Sequence, residues 1–250
     1  MYDLQKIVKL VLLTGNLKNT KPVSLLIVSK SGNGKTELIT SFKKKSVAFV
    51  TDTSYQGLLS LLKDEPHIKH LIIPDFIKIT QKKRSTTDNL VSLLNAVTEE
   101  GIGRMKVYNT DYDYKGRQLG LITATTKASF SQKRNAWETF GFVQRMILVS
   151  YDYADDTIEE ILSSINKKEW LSTQKSNEKI IKYASKDMIT KEELFKQLNQ
   201  ICDKRFRTLK HLQSLCEAHA LLRGDNEVKQ EDIDEIIRLS RFMNLKYTKI

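Results

Sequence analysis

The sequence predicts an α/β chain: a parallel sheet flanked by helices over residues 1–152, followed by an all-helical part over residues 153–250. Three observations predict it. Short apolar runs alternate with helical periodicities through the first three-fifths of the chain. After Tyr153 the strand-like runs stop. Between them, a glycine-rich turn joins the first run to the first helical stretch. Strands alternating with helices at this spacing make a parallel sheet with crossover helices.

Taken in order, residues 1–13 read as an amphipathic helix ended by Gly15. Residues 22–28 (PVSLLIV) form a nearly continuous apolar run, which suits a strand buried on both faces. Residues 46–50, 70–73, 119–125 and 145–150 repeat that character, and helical patterns fall at 36–43, 55–62 and 88–100. Beyond Tyr153, residues 156–166, 178–185, 191–203, 208–223 and 230–244 all read as helices. No repeat or low-complexity tract interrupts this order.

Composition narrows the class. The 250 residues are 40% apolar and 28% charged, ordinary values for a chain that buries a core, which argues against disorder. The apolar run at residues 7–13 is interrupted by Lys9 and too short to span a bilayer, so the expectation is a soluble cytoplasmic protein. Cys202 and Cys216 lack metal or redox spacing, and His67, His70, His211 and His219 form no ligand cluster. The net charge of +11 is unevenly placed. Residues 1–150 carry 23 Lys+Arg against 12 Asp+Glu, whereas residues 151–250 carry 18 of each. The basic excess suggests a polyanion near the first part and marks a boundary close to Tyr151.

The turn after the first strand reads Ser29-Lys30-Ser31-Gly32-Asn33-Gly34-Lys35-Thr36. It is nearly the phosphate-loop pattern G-x-x-x-x-G-K-[ST], with Ser29 in place of the first glycine. Gly32 and Gly34 let backbone N–H groups curl around phosphate oxygens, so residues 31–36 are the candidate ATP contacts. Lys35 would reach the β- and γ-phosphates, and the Thr36 hydroxyl would ligate Mg²⁺. A second Mg²⁺ partner is Asp75, an acid ending the apolar strand His70-Leu71-Ile72-Ile73-Pro74. The bland alternatives are a Gly-Ser turn for the loop and a helix cap for Asp75.

The downstream segments resemble the AAA+ P-loop ATPases, in particular the branch of MCM helicases and MoxR-type ATPases. Leu93-Leu94-Asn95-Ala96-Val97-Thr98-Glu99-Glu100-Gly101 is similar to a helix of that branch that ends in an acidic pair and enters a β-hairpin, here residues 105–118. The next strand, residues 119–126, is similar to the one whose end senses the γ-phosphate, which implies that role for Thr125 or Thr126. Phe142-Val143-Gln144-Arg145-Met146 resembles the arginine-finger segment, placing Arg145 toward a neighbouring subunit's nucleotide. Residues 207–233 resemble the MCM lid, with Arg207 at the second sensor position. In this family the residue after the strand-end Asp is usually a glutamate that polarises the attacking water; here it is Phe76. The substitute acid would be Asp88, Glu99 or Glu100, or hydrolysis is slow. The resemblance covers residues 22–239 and is to an isolated motor module, without the N-terminal DNA-binding domain or C-terminal winged helix of MCM proteins.

The resemblance implies a P-loop NTPase core with an AAA+ lid, acting as a homo-oligomer, either a hexameric ring or an open helical assembly. DNA is the expected substrate, as for a replication helicase or helicase loader, with room for an additional protein partner. Lys106, Tyr112, Tyr114, Lys115 and Arg117 on the hairpin are its candidate contacts, cations for phosphate and rings for stacking. The counter-reading is that these tyrosines fasten the hairpin to the core, and that lysine clusters at 43–45 and 82–84 are solvated helix ends. Two rival functions stand beside the DNA motor: a MoxR-like protein remodeller, and a switch that binds ATP to assemble but barely hydrolyses it.

Overall fold

The computed structural model describes residues 2–42, 45–107, 110–167, 187–202 and 205–245. Its strands are β1 (Leu25–Ser29), β2 (Val47–Phe49), β3 (His70–Ile73), β4 (Ile102–Val107), β5 (Thr110–Arg117), β6 (Gly120–Thr126) and β7 (Ile147–Ser150). Five of them form one parallel sheet in the order β2-β3-β6-β1-β7, and β4 with β5 forms a separate antiparallel hairpin. The helices are α1 (Tyr2–Thr14), α2 (Lys35–Thr40), α3 (Tyr55–Asp64), α4 (Phe76–Thr80), α5 (Arg84–Asn95) and α6 (Lys127–Thr139). They continue with α7 (Asp155–Asn166), α8 (Glu192–Lys196), α9 (Phe206–Arg223) and α10 (Gln230–Leu239). The expected α/β class with a helical C-terminal part is what the chain adopts. No helix among the described residues is long and apolar enough to cross a membrane.

Alternation along the strands builds two apolar layers. Leu25 and Ile27 of β1, with Ile122, Ala124, Ile147 and Val149, face α1, α2, α9 and α10. Leu26 and Val28, with Leu71, Ile73, Leu121 and Leu148, face α3, α4, α5 and α6. Helix α1 differs from an amphipathic surface helix: eight of its thirteen residues are buried, because α9 covers the side that the sheet does not. Strand β7 lies at the sheet edge, and the tail closes it: Asn244 N donates to Leu148 O at 2.7 Å, and Met243 bridges Val149.

The helix α5 ends as expected in the acidic pair, its last turn widening into a π-helix over Ala96–Glu100. Gly101, at φ 82, then turns the chain into the hairpin. Two helices went unpredicted, α4 and α6. Only Phe130 and Trp137 of α6 are buried, so it has too few apolar positions to show a helical period. The capping Thr126, whose Oγ1 accepts from Ser129 N at 3.1 Å, was the available signal. The segment expected to be helical at 178–185 lies outside the described residues, as do Lys43, Lys44 and Tyr108. In the helical part, the carboxylate of Asp232 is fully buried between His219 Nδ1 at 2.7 Å and the Arg223 guanidinium at 2.8 and 2.9 Å. Burial pushes that carboxyl up, but these donors and the Lys229 N–H hold it at about 2.

Candidate nucleotide site

Helix α2 leaves the end of β1 toward one face of the sheet, whereas α6 leaves its neighbour β6 toward the other. Adjacent strands whose connections diverge in this way open a crevice at their carboxyl ends, where α/β sheets bind ligands. The glycine-rich turn occupies that crevice. Gly32 at φ 82 and Gly34 at φ 65 both take the left-handed conformation that the loop reading requires. The departure from pattern at Ser29 has a structural reason. Its side chain is fully buried, and its Oγ accepts from Asn33 Nδ2 at 2.9 Å, tying the loop to the strand.

Lys35 folds back over the loop, with Nζ 3.2 Å from Ser29 O. Burial pushes its ammonium down in pKa, and the carboxylates of Asp75 and Glu37 oppose that shift. The structure therefore brings Lys35 and Asp75 within electrostatic reach of each other, while Ser31 and Thr36 are exposed at the loop mouth. Asp75 also caps α4, accepting from Ile77 N at 3.3 Å, which bears out the helix-cap reading of it.

Thr125 and Thr126 separate cleanly. Thr126 spends its hydroxyl on capping α6. The Thr125 hydroxyl is buried and has no hydrogen-bond partner among the described residues. Ile73 pairs with Thr123, so the register carried two residues further sets Thr125 level with Asp75. Of the two sensor candidates, Thr125 is the one with an unused hydroxyl at the site.

Phe76 is a core residue. It is fully buried, stacked on Phe142 at 4.6 Å and edge-on to Trp137 at 5.2 Å. A carboxylate there would be desolvated inside an aromatic cluster. Glu99 lies in the turn after α5, bonded to Arg207 and Lys21 rather than to the groups around Asp75. Its neighbour Glu100 shares that turn, and Asp88, paired with Arg84, lies in the second turn of α5.

Arg145 and Arg207 lie far from Lys35. Arg145 sits two residues before Ile147, which pairs with Leu25, and Ser29 is four residues further along β1, about 13 Å away. Its Nη1 donates to Gly141 O at 2.7 Å, and its buried Nε has no partner among the described residues. At the same end, Arg207 Nε lies 3.2 Å from Glu99 Oε2 and its Nη1 3.5 Å from Gln144 O. His211, one turn on, is pushed down to about 4, first by burial, with Glu99 opposing and with Arg207 and Lys21 adding to it. The two arginines are thus brought together with each other, not with the loop of their own chain.

The hairpin needs correction. Tyr114 is buried and donates to Leu59 O at 3.1 Å, and so fastens the hairpin to α3. Arg117 is occupied with the end of α3, donating to the carbonyls of Leu62, Glu65 and Ile68, the last at 3.0 Å. Neither presents itself to a nucleic acid. Lys106 and Lys115 are exposed, but so are Asp111, paired with Arg104, and Asp113. The outer face is mixed in sign rather than uniformly basic. The side chain of Tyr112 lies outside the described residues.

One site residue escaped the sequence reading. Tyr151, directly after β7, is buried and donates its hydroxyl to Asn33 O at 2.7 Å. The only signal was the pairing of β7 with β1, which is not visible before the sheet is built. Compared with family models and with curated proteins, the chain matches none.

Proposed function

We propose that this chain is an ATP-binding and ATP-hydrolysing P-loop ATPase of the AAA+ type, working as a homo-oligomer in the cytoplasm. The observation that carries the proposal is the placement of Gly32, Gly34 and Lys35 at the switch point of the sheet, with Asp75 in electrostatic reach. The unpartnered Thr125 hydroxyl beside Asp75 supports the fit, since a buried donor without a partner is costly unless a ligand completes it. Residues 31–36 would hold the phosphates, and Thr36 and Asp75 would hold Mg²⁺, which supplies charge neutralisation at the transferring phosphoryl group.

The position of Arg145 and Arg207 away from their own loop supports action as an oligomer. Each would complete a neighbouring subunit's site. DNA remains the proposed substrate on the basic excess of residues 1–150 and on Lys106 and Lys115. A second reading, a slowly hydrolysing assembly switch, is favoured by Phe76, which puts an aromatic core where a water-polarising carboxylate would stand.

Turnover and ATP affinity of the wild type and of Lys35→Ala test the first reading, with single- and double-stranded DNA added in turn. Loss of ATP binding in Lys35→Ala supports the loop, since a phosphate-loop lysine meets the β- and γ-phosphates directly. Retained affinity shows that residues 32–36 are only a turn. Stimulation by DNA favours the DNA motor over a protein remodeller, and tight binding with almost no turnover favours the switch.

A further inference from the structure

We propose that Tyr151 is a positioning residue that fixes the orientation of the Asn33–Gly34 peptide and so sets the affinity of the loop for phosphate. The proposal rests on the phosphate-loop reading given above.

Val28 pairs with Ser150, which brings the next residue, Tyr151, up beside Ser29. The ring is 6% exposed and lies 5.2 Å from that of Tyr153. Its hydroxyl donates to Asn33 O at 2.7 Å. Burial pushes the phenol well above its ordinary pKa, so it stays a donor at every pH where the protein is used.

A trans peptide is planar, with its C=O and N–H pointing in opposite directions. Holding the Asn33 carbonyl against Tyr151 therefore turns the Gly34 N–H toward the other, open side of the loop. Gly34 sits at φ 65, and a glycine reaches the mirror-image region about as easily. Nothing intrinsic to the backbone prevents this peptide from flipping, which would put a carbonyl oxygen where an N–H should meet an anion. The bond from Asn33 Nδ2 to Ser29 Oγ, at 2.9 Å, restrains the side chain of the same residue but not its carbonyl. Tyr151 restrains the carbonyl.

Tyr151→Phe keeps the ring and deletes only the hydroxyl. Isothermal titration with Mg-ATP and Mg-ADP, steady-state kinetics and the melting temperature of the nucleotide-free protein make the test. The expected result is about 3–10-fold weaker binding of both nucleotides, the size of one net hydrogen bond. KM should rise with kcat nearly unchanged, and the melting temperature should stay at the wild-type value. Unchanged affinity overturns the proposal. A weakening matched by a lower melting temperature also overturns it, because Tyr151 then only supports the fold. Wild-type protein that binds neither nucleotide refutes the phosphate-loop reading itself, which distinguishes the two failures.

Discussion

The two ends of the sheet are built on different principles. At the carboxyl end of β1, the loop presents backbone groups in left-handed turns, with Lys35, Asp75 and an unpartnered threonine hydroxyl around them. At the amino end of β7, the groups on offer are guanidiniums, and each is held by its own chain: Arg145 by the Gly141 carbonyl, Arg207 by Glu99. The first end is a cradle of backbone groups suited to anions. The second has cations and no cradle. At least about 13 Å of sheet separates them, more than an arginine side chain spans, so one copy cannot join its own halves. Two copies placed head to tail can, and such a heterologous contact closes into a ring or winds into a helix.

The strongest way to break this comparison is to remove a cation from the second end. Arg145→Ala should retain ATP binding and lose about 10³–10⁵ in hydrolysis rate, the contribution of arginine fingers elsewhere. Mixing it with Lys35→Ala subunits should restore activity, because each mixed interface then has one intact cradle and one arginine. Full activity in Arg145→Ala alone, or no rescue together with a monomeric mass in ATP, would sink the two-copy arrangement. Arg207→Ala is the parallel case. It also frees Glu99, so its effect mixes the loss of a cation with the release of an acid.

Smaller effects sharpen the division between groups that build the molecule and groups that face outward. Arg117→Ala should cost about 2 kcal/mol of stability, since it leaves carbonyls at the end of α3 without a charged donor. DNA binding per folded molecule should be unaffected. Replacing Lys106 and Lys115 with alanine should do the opposite: unchanged thermal midpoint, weaker DNA binding and a shallower salt dependence as fewer counterions are released. Filter binding across a salt series, with denaturant melts of both variants, decides the matter. An unchanged slope in the double variant would remove the hairpin from the DNA hypothesis.

How legible the molecule was depended on the range of the interactions. Strand β3 was readable to the residue, because three consecutive apolar residues, Leu71 to Ile73, bounded by Pro74 admit few other structures. The turn between β1 and α2 was readable because its signal is local: two glycines within three positions, both left-handed in the structure. The roles of Tyr114 and Arg117 were not, since both are decided by carbonyls more than forty positions away on α3 and its end. Tyr151 was hidden for the same reason, its partner Asn33 being 118 residues distant. Alternating basic and aromatic residues on a hairpin look the same in sequence whether they grip a ligand or fasten the hairpin down. Here the pleat decides: Tyr114 points inward, and Lys115, at φ 54, lies in a bulge that points it out.

The smallest effect is also the one whose sign is most telling. Thr125 is 2% exposed, and its hydroxyl has no partner among the described residues. An unsatisfied buried hydroxyl costs about 1–3 kcal/mol, whereas an isosteric methyl in the same place costs nothing comparable. Thr125→Val should therefore raise the stability of the nucleotide-free protein by about 1 kcal/mol, against the usual direction of core substitutions. The same change should lower nucleotide affinity about 3–10-fold if the hydroxyl bonds to a bound phosphate. A residue kept for packing would show the gain in stability without the loss of affinity, and a threonine with a hidden structural bond would be destabilised by valine. Opposite signs in a denaturant melt and a nucleotide titration are expected only where the fold tolerates an unmet hydrogen bond that a ligand then meets.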